Sequence, residues 1–387
     1  MALPTTYSFE TEEHADLRRQ ARRFAEQHIA PHALHWEEAE EFPRALYGEA
    51  AAAGVLGVSY PTELGGAGGD LTHGLVVADA LVYHGRSVGT AGSLGSHAIA
   101  LPLILNLGSP AQRERYIPKV LRGEQIAALA ITEPGGGSDV ANLSTRAVRD
   151  GDHYVVNGSK IFITSGCRAD LVVVAVRTHP DPSLRHLGLT LLVVERDTPG
   201  FVASRKLKKT GWWSSDTAEL SFSDCRIPVA NRLGEEGAGF FAIIQNFAAE
   251  RLLLAAQCVA VAQLAYDESV AYARSRQAFG KTLSGFQVTR HKLADMATRI
   301  VPIRSLVGDL ATRLSCGQAS MAEIAMAKNA ATDMVTAVCD AAVQVFGGAG
   351  YMRETTVERL YRDARLYPIG GGTREIMNEI IAQAEGY

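Results

Sequence analysis

Tyr154-Val155-Val156-Asn157-Gly158 is the stretch that decides the fold class. Three strand-forming residues run into Asn-Gly, the dipeptide that most strongly marks a tight hairpin turn, and so predict that a β-region begins here. Working toward the carboxy terminus, short β-branched or alternating runs follow at 171–176, 187–194, 201–207 and 218–222, separated by polar and Pro/Gly breaks. No helical period lies between them, which excludes βαβ units and predicts an antiparallel β-domain.

On both sides of this region the texture is helical. Upstream, Leu17, Ala21 and Phe24 recur at helical spacing until Pro31, which is expected to stop the helix. Further helices are expected at 44–53, 71–83, 98–106 and 111–121. Downstream of Pro228 and Gly234, long helices are expected at 239–276, 286–316 and 319–346, with a short one near the end, a pattern that suits a helix bundle. The fold class expected is therefore α+β multidomain: an N-terminal helical domain (1–125), a middle antiparallel β-domain (126–235) and a C-terminal four-helix-bundle-like domain (236–387).

Composition narrows the function. The chain has 387 residues, 47% of them hydrophobic, and 38 Lys+Arg against 42 Asp+Glu give a net charge of −4. That excludes a basic field for nucleic acid or an anionic membrane. Cys167, Cys225, Cys258, Cys316 and Cys339 form no C-x-x-C pair and read as buried thiols of a reducing, cytoplasmic setting. The acidic amino terminus lacks a basic-then-apolar leader pattern, and no membrane span is expected. No G-x-G-x-x-G follows a strand, and Gly280-Lys281-Thr282 lacks the first glycine of a P-loop, Ser275 standing there. Pro31 interrupts His28, His32 and His35, so no metal site is expected.

Ile131-Thr132-Glu133-Pro134-Gly135-Gly136-Gly137-Ser138-Asp139 sits at the helical-to-β boundary, where glycines let backbone N–H groups approach a ligand and hydroxyls supply hydrogen bonds. A flexible interdomain turn is the plainer reading. The stretch resembles the first signature of the acyl-CoA dehydrogenase family, with Asn142 in place of a usually small residue. Further landmarks of that family follow in order: Asn157-Gly-Ser-Lys-Ile-Phe-Ile-Thr164; Gly211 to Glu219 with Phe222 and Pro228; Arg276-Gln-Ala-Phe-Gly-Lys281 with Gln287; and Gln344-Val-Phe-Gly-Gly-Ala-Gly-Tyr351. The likeness covers nearly the whole chain.

The resemblance implies FAD, an acyl-CoA substrate, an electron-transfer flavoprotein as acceptor and a homotetramer built as a dimer of dimers. Carried over by position, it implies flavin contacts from Leu129, Ile131, Thr132, Gly137, Phe162, Ile163 and Thr164, with Ser138 meeting a cofactor phosphate or CoA. Arg276, Phe279, Gln287, Gln344, Gly347 and Gly348 are implied to reach the FAD of a neighbouring subunit, and Thr373 and Glu375 to close over the cofactor. Phe247, Arg251, Gly371 and Gly372 are implied on the substrate side. The reaction implied is α,β-dehydrogenation to a trans-2-enoyl-CoA, an α-proton going to a base and a β-hydride to flavin N5.

The base is the informative departure. The commonest family pattern carries a glutamate before the final helix, where Ile369-Gly370-Gly371-Gly372-Thr373 places Gly371, which takes no proton. The isovaleryl-CoA and long-chain groups carry the base in a Glu-Arg-Leu context on the first C-terminal helix, and Glu250-Arg251-Leu252 matches it. The residues themselves point the same way: across 237–266, Glu250 and Arg251 are the only charges on an otherwise apolar helix. Burying a carboxylate there is costly without a purpose, and adjacent helical residues do not face each other as a pair. Alternatives on the same architecture are an acyl-CoA oxidase, a flavin monooxygenase or an FAD-binding scaffold without turnover.

Overall fold

The structure is a computed structural model that describes residues 3–181 and 183–387. Seven helices come first: α1 (Glu12–Phe24), α2 (Ala33–Ala39), α3 (Ala45–Ala52), α4 (Leu71–Gly85), α5 (Val88–Leu94), α6 (His97–Leu107) and α7 (Pro110–Leu121). The opening helical run ends at Ile29, just before Pro31, as expected, but no loop follows. The chain passes from α1 through a π turn (Ala25–Ile29) and a 3-10 turn (Ala30–His32) directly into α2. Pro31 sits in the first turn of that new segment, where its missing N–H has no helical partner to lose.

The middle region is one sheet built from β1 (Ala127–Ala130), β2 (Arg146–Asp150), β3 (His153–Thr164), β4 (Leu171–Arg177), β5 (Leu189–Glu195), β6 (Phe201–Lys206), β7 (Thr217–Pro228) and β8 (Arg232–Leu233). Its order is β6-β7-β3-β2-β4-β5-β8, with β1 paired to β4. Two expectations need correction. Asn157-Gly158 is not a hairpin turn, since β3 runs straight through it and the β2–β3 hairpin turns at Gly151-Asp152. The Asn157 amide instead bonds Asp224 across the sheet, and Gly158, at φ +147, fits a bulge where Thr145 stands within 2.6 Å of any added Cβ. The sheet is also not wholly antiparallel, because β1 pairs β4 in parallel, Ala127 opposite Leu171.

The carboxy-terminal region holds α8 (Gly239–Ser275), α9 (Gln287–Ser315), α10 (Met321–Phe346), α11 (Thr356–Ala364) and α12 (Arg374–Glu385), with a small hairpin, β9 (Gln277–Ala278) and β10 (Lys281–Thr282), after α8. At 1.5 Å per residue, the 37 residues of α8 span about 55 Å and run the length of the bundle. Its middle is buried without a break from Cys258 to Ala265, against α4 and α10. Among the described residues two stretches, Val88–Leu107 and α8, are long and apolar enough to cross a membrane, and 67% of the most apolar 18-residue window of each is buried against the rest of the protein. All five cysteines are free; Cys225, Cys258 and Cys339 are buried as expected, but Cys316 is exposed just past α9.

Candidate active site

Glu250 lies about a third of the way along α8 and faces the turn that precedes α12. A Cβ built on Gly371 would stand 3.7 Å from Glu250 Oε1 and 2.7 Å from Leu254 Cδ1. Gly371 and Gly372 take φ of +66 and +98, which a side chain would strain, so the turn lies closer to α8 than any other residue would allow. The two glycine carbonyls are engaged: Arg251 Nε donates to Gly371 O at 3.2 Å and Lys328 Nζ, from α10, donates to Gly372 O. Among the described residues no acceptor takes the N–H of Gly371 or Gly372.

Glu250 itself is half-buried, yet its Oε2 is fully covered and without a hydrogen-bond partner. Burial pushes its carboxyl up to about 7, against the pull of Arg251 and Lys328. A carboxylate in this state can take a proton near neutral pH and give it back, as a general base must. Arg251 is 2% exposed, lies over the Phe247 ring at 5.6 Å and leaves Nη1 buried and unpartnered. Phe247 in turn packs on the apolar cluster that contains Leu129 of β1 and Ile131 just after it. The structure thus brings Phe247, Glu250, Arg251, Gly371 and Gly372 together and ties them to the cluster around β1. Lys328 was not anticipated from sequence. Its signal was its place on the stripe Ile324, Lys328, Ala331, Val335, where an apolar residue belongs.

The β-region presents a different surface. Phe162 is 65% exposed with φ +62, lifted out by a register shift between Lys160 and Ile163 in the β3–β7 pairing. Thr132 lies beside it, its carbonyl accepting from Ile161 N at 2.9 Å, and Thr164 is two residues along β3. Gly137 approaches Thr132 so closely that a Cβ would stand 3.1 Å from its methyl group. Ser138 is exposed on the same loop, whereas Ile163, Leu129 and Ile131 bury their side chains, leaving only backbone for a ligand. An exposed aromatic face flanked by hydroxyls and free loop backbone fits a planar, hydrogen-bonding ring such as a flavin.

Beneath this loop lies a buried ion pair. Lys160 Nζ donates to Glu133 Oε1 at 2.8 Å and to Ile131 O at 3.0 Å, while Glu133 also accepts from Ser144 N, Ser144 Oγ and Thr145 N. Burial alone would raise the Glu133 carboxyl, but Lys160 and these donors outweigh it and hold it at about 2.

Of the remaining predicted residues, Arg276, Gln344, Gly347 and Gly348 lie away from Glu250 in this chain. Arg276 follows α8 at a distance of about 39 Å along the helix, and Gln344, Gly347 and Gly348 close α10 about 24 Å or more beyond Lys328. Tyr272 stacks on Phe346 at 4.1 Å, which joins these two ends to each other. Phe279 is 96% exposed with φ +51, Gln287 is exposed at the start of α9, and a Cβ on Gly347 or Gly348 would meet nothing within 4 Å. Thr373 caps α12, its hydroxyl accepting from Ile376 N, and Glu375 is exposed in the first turn. His14, Asp70 and His73 have metal-ligand spacing, but the His14 nitrogens bond Thr11 and Thr72 and its ring stacks on that of His73 at 4.2 Å. A cleft of about 390 Å³ lined by Arg18, Asp79, Gln263 and Arg304 lies about 20 Å along α8 from Glu250 and takes no part in this site.

Known proteins resemble this chain along nearly its whole length. Residues 11–124, 128–225 and 237–386 match the N-terminal, middle and C-terminal domains of acyl-CoA dehydrogenases. The chain belongs to the acyl-CoA dehydrogenase family. It is 39% identical to the long-chain specific mitochondrial acyl-CoA dehydrogenase of Sus scrofa over 96% of this chain and 86% of that one. It is 36% identical to the mitochondrial isovaleryl-CoA dehydrogenase of Pongo abelii over 97% and 89%. A crystal structure of a probable acyl-CoA dehydrogenase from Mycobacterium abscessus superposes with a TM-score of 0.95, at 48% identity, covering 98% of this chain and 100% of that one. Members of the family are oxidoreductases acting on CH–CH bonds, and are in general FAD-binding flavoproteins.

Proposed function

We propose that this acyl-CoA dehydrogenase is FAD-dependent and converts an acyl-CoA thioester to its trans-2-enoyl-CoA, with Glu250 as the base. The observation that carries the reading is the pairing of an unpartnered, buried carboxylate oxygen with two unpaired N–H groups across the narrow gap between α8 and the Gly371–Gly372 turn. Glu250 takes the α-proton; the negative charge that then develops on the thioester oxygen needs donors fixed in advance, and the Gly371 N–H, next to the amino terminus of α12, is suited to it. The covered, largely apolar walls around Glu250 keep water from competing for that proton. Thr132, Phe162, Thr164 and the Gly137–Ser138 loop would hold FAD, which when bound supplies the acceptor for the β-hydride.

Long or branched acyl chains are the substrates we favour, on the Glu-Arg-Leu placement of the base and on the likeness to the long-chain and isovaleryl-CoA relatives. Electron-transfer flavoprotein is the acceptor proposed, on the family resemblance. The exposed Phe279 and open Gly347–Gly348 backbone support a homotetramer in which a second copy covers these residues and completes each FAD site. Anaerobic titration of the yellow protein with acyl-CoAs of graded length and branching tests the substrate range. In the same assay Glu250→Gln should slow flavin reduction at least about a thousandfold, as expected when a general base is lost from a positioned pair. Reduction at the wild-type rate would remove Glu250 from the mechanism.

A further inference from the structure

Two cations are buried around the glycine turn, and both spend a donor on its carbonyls rather than on Glu250. Arg251 bonds Gly371 O, and Lys328, 1% exposed, bonds Gly372 O; neither forms a salt bridge among the described residues. An ammonium buried in the seam between α8 and α10 is costly, and most helical lysines avoid it by reaching for water. Its Cε nonetheless comes within 3.7 Å of where a Cβ on Gly371 would be, the same distance as Glu250 Oε1. The cation and the base therefore flank one residue.

We propose that Lys328 is a positioning residue for the proton transfer: its ammonium holds the Gly372 carbonyl, so that the N–H groups of the turn stay unpaired, and its positive potential favours the charged form of Glu250. The inference rests on the reading of Glu250 as the base. Lys328 touches neither the reacting carbon nor the proton and acts through the turn and through the carboxylate.

The groups that act on these two residues are few. Glu250 feels Arg251 on its own helix and Lys328 on α10; Lys328 feels Arg251, Cys258 and Glu250, all on α8. From α4, whose Gly74 lies against Leu253, Asp70 and His73 bond each other at 2.9 Å. On α12, Arg374 pairs with Asp333 and Glu375 is exposed. Burial, reinforced by Arg251, brings the Lys328 ammonium down to about 8, while burial raises Glu250 to about 7. Each charge acts on the other, and the charged forms of both coexist only around neutral to mildly alkaline pH.

The test follows the pH profile of anaerobic flavin reduction by a saturated acyl-CoA in holoenzyme, for wild type, E250Q, K328M and K328R. Infrared difference titration of each lysine variant against its E250Q counterpart isolates the Glu250 carboxyl without turnover. K328M should move the Glu250 midpoint and the acid limb of the rate upward by about one pH unit, which is about a tenfold loss of rate on that limb. K328R should restore the acid limb and carry the alkaline limb, expected near pH 8 in the wild type, to higher pH. An unmoved midpoint in K328M overturns the proposal. So does a K328R alkaline limb at the wild-type position, and that variant, which keeps the charge, decides the matter should K328M fail to fold. Full activity of E250Q would instead remove the base reading and the proposal with it.

Discussion

Glu133, buried, and Glu250, half-buried with one oxygen fully covered, each have a buried lysine nearby, and they end in opposite states. In the β-region Lys160 touches Glu133 directly, and Ser144 and Thr145 fill the carboxylate's remaining lone pairs, so the charged form is held down to about pH 2. In the helical region Lys328 is turned onto the Gly372 carbonyl, Oε2 of Glu250 has no partner, and the carboxyl sits at about 7. A nearby cation therefore does not decide whether a buried acid is structural or reactive. What decides is where the cation's hydrogen bonds go.

Neutralising the two carboxylates should separate these roles. The largest effect expected is that on turnover, the thousandfold loss in Glu250→Gln, with little change in FAD content. Glu133→Gln should cost stability first, by about 3 kcal/mol at pH 7, because it leaves Lys160 buried without its counter-charge. Chemical denaturation of both variants at pH 7 checks this. A Glu133→Gln protein as stable as wild type would mean that the pair contributes nothing.

The pH dependences should run in opposite directions. Glu133 has a folded value below its unfolded one, so its contribution is present above about pH 4.5 and is lost as pH falls toward 2. Glu250 has a folded value above its unfolded one, so relative to glutamine it costs nothing below about 4.5 and increasingly more as pH rises through 7. Glu250→Gln should therefore be more stable than wild type by about 3 kcal/mol at pH 8 and no different at pH 4. Thermal unfolding at the two pH values checks this, and an equal gain at both would contradict a raised folded value for Glu250.

How legible these two regions were in the sequence differs for a physical reason. Glu250 stood out because α8 is apolar for a long way on either side of it, and an isolated charge on such a helix has few bland explanations. Lys328 did not, because α10 also carries Glu323, Asp333 and Asp340, and only the stripe it shares with Ile324 and Val335 marks it as buried. The long helices were readable from their periodicity. β1 was not: Ala127-Ala-Leu-Ala130 has no β-branched residue, and its strand form comes from pairing with β4, a tertiary contact. The Asn157-Gly158 signal pointed to a β-region but to the wrong turn, since the hydrogen bonds of Asn157 are satisfied across the sheet by Asp224 rather than within a hairpin. The turn chemistry at Gly371 was visible as three consecutive glycines, whereas the two cations that hold it come from helices far away in sequence.

The smallest effect expected is also the one that bears most directly on the comparison. Ser144 Oγ donates to Glu133 Oε2 at 2.5 Å, and the Ser144 N–H donates to the same oxygen at 2.7 Å. Ser144→Ala removes one of these bonds and keeps the other, so the charged form of Glu133 loses part of its support while the contact with Lys160 is untouched. The loss should be about 1 kcal/mol at pH 7, the net worth of one hydrogen bond to a charged group whose backbone donor remains. It should vanish at low pH, once Glu133 is protonated in both proteins. If the donors around a buried carboxylate set its state as much as the cation does, the acid-unfolding midpoint of Ser144→Ala moves toward neutrality. A midpoint identical to wild type would assign the whole difference between Glu133 and Glu250 to the direct lysine contact.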